Sequence, residues 1–118
     1  GSPNNANLQG SGGNNFFYAV GGSYQAIDSD GDNCFDGGDG NNHFKGGDGH
    51  NTVHCGNGDN NIQLGNGNNQ IDVGSGSNFV SAGNGNNSVT VGNGSRGQYS
   101  LGNGNDHVTL GNGSDNAV

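Results

Sequence analysis

Apolar and aromatic residues recur at every ninth position along this chain. When nonamers are counted from Gly1, with one inserted residue near Arg96–Gly97, position 8 of each nonamer is apolar or aromatic. A polar chain that keeps this register is typical of a repeat protein, in which each repeat adds a small share of a continuous core, and is not expected of a disordered chain. The pattern divides the sequence into thirteen nonapeptides, whose position-8 residues are Leu8, Phe17, Ala26, Phe35, Phe44, Val53, Ile62, Ile71, Val80, Val89, Tyr99, Val108 and Ala117.

The remaining positions of the nonamer predict a turn followed by a short strand. Position 4 is Gly in every nonamer except the first, and Gly adopts the positive-φ conformations that tight turns need. Positions 2 to 6 therefore predict a turn, whereas positions 7 to 9 and the next position 1 predict a strand with positions 8 and 1 facing inward. Two nonamers close one coil, so we expect an all-β parallel solenoid with 18 residues per coil.

The character of the nonamers changes along the chain and indicates three segments of one domain. Residues 1–27 read as irregular capping repeats and 28–63 as Asp-rich repeats, while 64–118 are Asn-rich repeats. In the last segment position 1 is also apolar, which predicts a second inward row. The residues of that row are Leu64, Val73, Ala82, Val91, Leu101 and Leu110. Before it, position 1 is mostly Gly, and the bulk shifts to the Phe residues at position 8.

Composition and charge exclude several fold classes and several kinds of binding partner. The apolar share is only 25% and 28 of 118 residues are Gly, which argues against a helical bundle. The net charge is −8 with two basic residues, which argues against nucleic acid and anionic membranes and favours cations. No apolar run approaches the roughly 18 residues of a membrane span, so no membrane insertion is expected.

Two consecutive nonamers, Gly37-Gly-Asp-Gly-Asn-Asn-His-Phe-Lys45 and Gly46-Gly-Asp-Gly-His-Asn-Thr-Val-His54, closely resemble the Gly-Gly-x-Gly-x-Asp-x-U-x repeat of RTX proteins. The resemblance implies a right-handed parallel β-roll from a larger secreted, extracellular bacterial protein such as a toxin, protease, lipase or adhesin. It also implies Ca²⁺ bound between loops of adjacent coils by loop carbonyls and the position-6 Asp.

Position 6 departs from the family pattern, because it is mostly Asn in this chain. Asn side chains one strand spacing apart can form a hydrogen-bonded ladder, and an ordinary row of ions is the alternative. Filling every interloop site with roughly ten Ca²⁺ would add far more positive charge than the −8 of the protein balances, and Ca²⁺ affinity follows the charge of its ligands. We therefore expect few Ca²⁺ ions, not one per loop.

Carboxylates concentrate at Asp28-Ser-Asp-Gly-Asp-Asn-Cys-Phe-Asp36. The Asp-x-Asp-x-Asp opening resembles the calcium loops of EF-hands and thrombospondin type 3 repeats, in which alternating carboxylates converge on one hard cation. A solvated acidic turn is the alternative. The predicted metal ligands are Asp28, Asp30, Asp32, Asp36, Asp48, Asn33 and Asn51. Asp106 and Asp115 keep the family residue at position 6 and are lesser candidates.

No arrangement of nucleophile, base and acid can be argued, so the expected function is non-enzymatic. Our first hypothesis is a structural or folding module of the parent protein with Ca²⁺ at its acidic loops. The alternative is an adhesin-like surface that binds ice or carbohydrate through two parallel ranks of Asn. Those ranks consist of Asn66, Asn84 and Asn103 at position 3 and Asn68, Asn86 and Asn105 at position 5.

Four smaller features complete the expectations. His54 should lie between Asp36 and Asp72 in one outward column, and the register should keep Cys34 and Cys55 apart as free thiols. Phe16 and Tyr18 occupy outward positions, which predicts an apolar patch covered by a neighbouring segment or a partner. An open last coil predicts end-to-end self-association.

Overall fold

The computed structural model describes residues 5–10, 12–18, 22–28, 30–93, 96–112 and 116–117. These residues form strands and turns without any helix, and so none of them forms a helical membrane span. The strands are β1 (Asn5–Gln9), β2 (Phe16–Tyr18), β3 (Ser23–Ile27), β4 (Cys34–Gly38), β5 (His43–Lys45), β6 (Thr52–Cys55), β7 (Asn61–Gln63), β8 (Gln70–Val73), β9 (Ser77–Ala82), β10 (Ser88–Val91), β11 (Arg96–Leu101), β12 (His107–Leu110) and β13 (Asn116–Ala117).

The strands alternate between two parallel sheets, as the nonamer pattern predicts. Odd-numbered strands form a seven-stranded sheet in the order β1-β3-β5-β7-β9-β11-β13, and even-numbered strands form a six-stranded sheet in the order β12-β10-β8-β6-β4-β2. Val53 lies opposite Ile71 and Phe44 opposite Ile62, and the partners are 18 residues apart. The offset becomes 19 in the last strand pairs, as between Val89 and Val108. The parallel β-solenoid with 18 residues per coil is therefore confirmed. Its smallest dimension is 13 Å, as expected for two packed sheets.

The position-4 glycines allow successive turns to stack directly on each other. Gly67 has φ of 127°, and a Cβ on it would lie 2.2 Å from the carbonyl oxygen of Gly49 in the preceding coil. Gly58 repeats the geometry on the other side of the roll, with φ of 130° and 2.3 Å to the oxygen of Gly40. A side chain here would clash with backbone as well as strain its own, which explains why the sequence keeps Gly at this position.

The core is a thin row of position-8 side chains, joined in the middle coils by position 1. Phe35 and Phe44 are fully buried, and their rings stack with centroids 4.9 Å apart. A Cβ on Gly37 would lie 2.8 Å from the Phe35 ring, so the aromatic rings fill the space that Gly leaves at position 1. The buried apolar residues are Ala26, Phe35, Phe44, Val53, Cys55, Ile62, Leu64, Ile71, Val73, Val80, Ala82, Val89, Val91 and Tyr99.

Three details differ from the sequence-based register, the first being that Ala117 pairs with Gln98 instead of Tyr99. The chain shifts register between Asp36 and Gly38, and so Cys55 pairs with Gly38 instead of Gly37. The second apolar row is also incomplete, because Leu101 is half-buried and Leu110 is 37% exposed. Leu110 belongs to β12, which is the last strand of the six-stranded sheet among the described residues.

Candidate functional site

The position-6 side chains form two hydrogen-bonded columns inside the turns, which we call the inner ladders. Asn51 donates its backbone N–H and its Nδ2 group to Oδ1 of Asn69, at 3.0 and 3.1 Å. Asn69 donates in the same way to Asn87, at 3.2 and 3.0 Å. The long ladder consists of Asn15, Asn33, Asn51, Asn69, Asn87 and Asp106, and the short ladder consists of Asn42, Asn60 and Asn78. The predicted asparagine ladder is thus confirmed.

Each ladder amide also closes its own turn. The Nδ2 group of Asn51 donates to the carbonyl oxygens of Gly47 and Gly49, at 3.1 and 3.3 Å. With Oδ1 of Asn69, three oxygens therefore surround a nitrogen that carries two hydrogens. The side chain is 1% exposed, and a net contribution of about 0.5–1.5 kcal/mol per hydrogen bond makes each rung a substantial stabilising contact.

The amide nitrogens do not suit Ca²⁺ at the inner ladders. Ca²⁺ takes six to eight oxygen ligands, several of them anionic in tight sites. At Asn60, the cage of Gly56 O, Gly58 O and Asn78 Oδ1 holds an Nδ2 group that donates to all three oxygens, at 3.2, 3.2 and 3.0 Å. The cage is neutral, and its centre already contains a hydrogen-bond donor.

A second set of columns, the outer ladders, runs along the rim of the turns at positions 3 and 5. Asp48 accepts the backbone N–H of Asn66 at 2.7 Å, and Asp30 accepts that of Asp48 at 2.8 Å. At position 5, Asp32 accepts the backbone N–H of His50 at 2.8 Å, and His50 Nδ1 in turn accepts that of Asn68 at 3.1 Å. Short Asx side chains at these positions therefore pair turn N–H groups that the strands leave unpaired. The sequence pattern did not predict this role.

The structure places the predicted metal ligands in three environments. Asp30, Asp32 and Asp48 are exposed at the rim of the turns that precede the six-stranded sheet, and we call these three residues the acidic edge. Asp28 is 7% exposed, and its carboxylate lies against Gly10 inside the roll. Asp36 is half-buried on β4. Asn33 and Asn51 belong to the long ladder.

The acidic edge brings carboxylates of successive coils together, but Asp28 and Asp36 do not join it. Across residues 30–93 and the other described ranges, no three His, Cys or acidic side chains form a cluster that could hold a metal ion. Asp115 lies outside the described residues. One oxygen of each acidic-edge carboxylate accepts a backbone N–H, which leaves the second oxygen as the one a cation would contact.

The two Asn ranks proposed as a binding surface are the continuation of the outer ladders. Asn66 and Asn84 accept the backbone N–H groups of Asn84 and Asn103, at 2.9 and 2.8 Å. Asn68 and Asn86 do the same for Asn86 and Asn105, at 2.7 and 2.8 Å. All six side chains are exposed. The Oδ1 atoms of the first two Asn in each rank thus hold the turns together. The exposed Nδ2 groups are the donors that a ligand would meet.

The His54 column and the two cysteines are arranged as the register predicts. His54 pairs with Asp36 and Asp72 in neighbouring strands, and its Nδ1 lies 3.6 Å from Asp72 Oδ2. Cys34 and Cys55 are free thiols. Burial, and secondarily the Asp36 carboxylate, raises the pKa of Cys55 to about 12. The same two causes raise the pKa of Cys34.

Comparison with known proteins agrees with the geometry of the repeats. The chain matches the model of the RTX calcium-binding nonapeptide repeat over residues 27–62, 56–89 and 100–117. These ranges span well over half of the 118 residues. No significant match was found among curated proteins or among solved structures.

Proposed function

Because the chain belongs to the RTX calcium-binding nonapeptide repeat family, we propose that it is a non-enzymatic structural module of a larger secreted bacterial protein. The family is a structural repeat type, which supports a calcium-binding β-roll without catalysis. The single observation that carries the proposal is the continuous stack of coils. Apolar packing in the core and hydrogen bonds between the turns join each coil to the next. A rigid spacer or folding unit requires such continuous contact.

We place the few Ca²⁺ ions of this module at the acidic edge. Asp30 and Asp48 stack in neighbouring coils at position 3, with Asp32 on the adjacent rim position. Like charges at this spacing repel each other, and a divalent cation relieves that repulsion. Asn33 and Asn51 would hold the turns of the acidic edge in shape without contacting the ion. Asp28 and Asp36 lie away from the rim and would contribute only negative charge.

Calorimetric titration with Ca²⁺ tests this placement. The double variant Asp30→Asn/Asp48→Asn keeps an oxygen to accept each backbone N–H but removes two charges. The matched control, Asp39→Asn/Asp59→Asn, removes two charges from the opposite turns, where these carboxylates accept the N–H groups of Asn57 and Ser77.

We expect the wild-type chain to bind a few ions, the acidic-edge variant to lose them, and the control to keep them. Equal losses in both variants would instead indicate diffuse charge attraction and refute a site. A stoichiometry near one ion per turn would refute the proposal of few ions.

A second candidate function is the binding of ice or carbohydrate by the Asn ranks. It is favoured by the regular spacing of exposed amides along the outer ladders. The variant Asn84→Asp/Asn86→Asp keeps the oxygens that accept the N–H groups of Asn103 and Asn105 but removes two outward NH₂ groups. Ice-recrystallisation and glycan-array assays should show an activity that this variant loses. An inactive wild-type chain in both assays would exclude this function.

A further inference from the structure

We infer that the side-chain amides of the inner ladders take the place that interloop Ca²⁺ has in the family repeat, so that the coils from Asn51 to Asn87 keep their fold without calcium. This inference concerns the inside of the turns. It does not depend on whether the acidic edge binds Ca²⁺, because Asp30, Asp32 and Asp48 lie on the exposed rim.

The amide nitrogen of each ladder asparagine lies among the oxygens that would otherwise surround an ion. Loop carbonyls and the position-6 side chain of the next coil are the oxygens that the family motif assigns to the ion. At Asn69, the Nδ2 group donates to Gly65 O at 3.3 Å, to Gly67 O at 3.2 Å and to Asn87 Oδ1 at 3.0 Å. The nitrogen thus meets the oxygens of two adjacent turns and joins those turns, as an interloop ion does.

The same hydrogen-bond geometry repeats in the turns on both sides of the roll. Donation to the two carbonyl oxygens of the same turn recurs at Asn42, Asn51, Asn60, Asn69, Asn78 and Asn87. All six side chains are 1–2% exposed. Water therefore competes weakly for these hydrogen bonds, which are stronger in the low-dielectric interior than at the surface.

The Oδ1 atoms of the ladder already accept hydrogen bonds. Oδ1 of Asn69 accepts two hydrogens from Asn51, one from the backbone and one from the side chain. A Ca²⁺ ion in this cage would have to displace the Nδ2 donor and bind neutral oxygens that are already engaged. Because Ca²⁺ affinity depends on the number of charged ligands, the amide is the better occupant of this cage.

The test compares the wild-type chain in excess EDTA and in Ca²⁺. We expect circular dichroism to show strand structure in EDTA. In ¹⁵N-labelled protein, the backbone amides and Asn side-chain NH₂ groups of residues 51–87 should remain slow to exchange with solvent. Random coil over residues 51–87 in EDTA would overturn the inference. Loss of protection confined to residues 30–48 would leave the rungs from Asn51 to Asn87 intact and support the inference.

A pair of variants asks the converse question. Asn51→Asp/Asn69→Asp removes two amide donors from the long ladder and places two carboxylates in adjacent coils. We expect a lower Tm than wild type in EDTA and a Tm that rises with Ca²⁺ concentration, because binding to the folded state alone stabilises it. The control, Asn66→Asp/Asn84→Asp, makes the same charge change on the exposed rim, in the turn of Asn69 and in the next turn on that side.

The control should retain most of the wild-type Tm in EDTA. Equal loss of Tm in both variants would attribute the effect to charge alone and overturn the role of the amide. If the inner variant does not fold even in Ca²⁺, exchange of the Asn NH₂ groups in the wild-type chain decides the question. Fast exchange at Asn51 and Asn69 would then refute the ladder as the substitute for calcium.

Discussion

Asn87 donates both its backbone N–H and its side-chain amide to one carboxylate oxygen of Asp106, at 2.9 and 3.0 Å. The long ladder therefore changes at its last described rung from a neutral acceptor to a charged one, and hydrogen bonds to a carboxylate are stronger than those to an amide. Asp106 also keeps the residue that the family repeat has at position 6. Asp106 therefore belongs to the long ladder and also matches the family repeat at position 6.

Asp106 should stabilise the long ladder as an acceptor. We expect Asp106→Ala to lower the free energy of unfolding by about 1–3 kcal/mol, because the backbone N–H and the Nδ2 group of Asn87 both lose this acceptor. Asp106→Asn retains an oxygen at the same place and should cost less than about 1 kcal/mol. Urea unfolding in EDTA measures both variants. Equal destabilisation by Ala and Asn would show that the charge, not the accepted hydrogen bonds, matters.

The short ladder begins with a buried oxygen that can be given a partner. Asn42 is 2% exposed, and its Oδ1 accepts no hydrogen bond from the described part of the chain. Position 6 of the preceding coil on that side is Tyr24, whereas the next two coils have Asn60 and Asn78. We expect Tyr24→Asn to be more stable than Tyr24→Ala by about 1 kcal/mol, the net value of a new buried hydrogen bond. Equal Tm values for the two variants would contradict the extension of the ladder.

Stacking of turns through glycine predicts a large difference between two Gly→Ala substitutions. Gly67 and Gly13 both have positive φ, of 127° and 85°, but a Cβ would clash with backbone only at Gly67. Gly13→Ala should therefore cost about 1–3 kcal/mol from backbone strain alone. Gly67→Ala should cost more than about 4 kcal/mol, in the range of severe core defects. Similar unfolding midpoints for the two variants would show that the close approach of turns is unimportant.

The sequence predicts this fold well because each coil repeats the same pattern of inward apolar residues and turn residues. The inward row that contains Phe44 and Val53 and the ladder through Asn51 and Asn60 follow directly from a period of nine and from strand alternation. Asp28 shows where a local motif misleads. It begins an Asp-x-Asp-x-Asp run, yet as position 1 it continues the inward alternation of the strand and is buried beside Gly10.

The outer ladders were not predicted because a polar turn residue looks solvated in a sequence. Asp48 and Asn66 become structural only when the coil above presents an unpaired backbone N–H at the right height. The register shift between Asp36 and Gly38 is of the same kind. The shift arises from the pairing of two strands, and the identity of Asp36 or Gly38 does not reveal it in the sequence.

Cys55 predicts a loss of stability at alkaline pH. Its pKa is about 12 in the folded protein, against an ordinary thiol value of 9.0. Below pH 9 the thiol is protonated in both states and its burial contributes fully to stability. As the pH rises from 9 towards 12, only the unfolded chain ionises, so the free energy of unfolding falls by up to about 1.4 kcal/mol per pH unit.

Urea unfolding across that pH range checks this slope. Cys55→Val, which places in the column the residue found at Val73 in the next coil, should reduce the alkaline slope and change stability little at neutral pH. Identical alkaline slopes in wild type and variant would contradict the assignment to Cys55. Rapid alkylation of Cys55 at neutral pH would contradict its burial as a protonated thiol.

Phe16 and Tyr18 form an exposed aromatic patch at the edge of the six-stranded sheet. The side chains are 67% and 63% exposed, and their rings are nearly parallel with centroids 6.5 Å apart. Their strand, β2, is the terminal strand of that sheet. Exposed apolar side chains on the outermost described strand of a sheet favour association with another strand or protein.

We expect Phe16→Ser/Tyr18→Ser to reduce concentration-dependent association in sedimentation velocity and the binding of a hydrophobic dye. The change should leave Tm nearly unaltered, because the rings contribute little to the core when two-thirds of their surface is already in water. Phe79→Ser is the control, since Phe79 is an aromatic residue 41% exposed on the other sheet. If the control lowers association as much as the double variant does, exposed rings in general are responsible. If the wild-type chain is monomeric at all concentrations and binds no dye, the β2 patch does not mediate self-association, and only a different protein or segment could cover it.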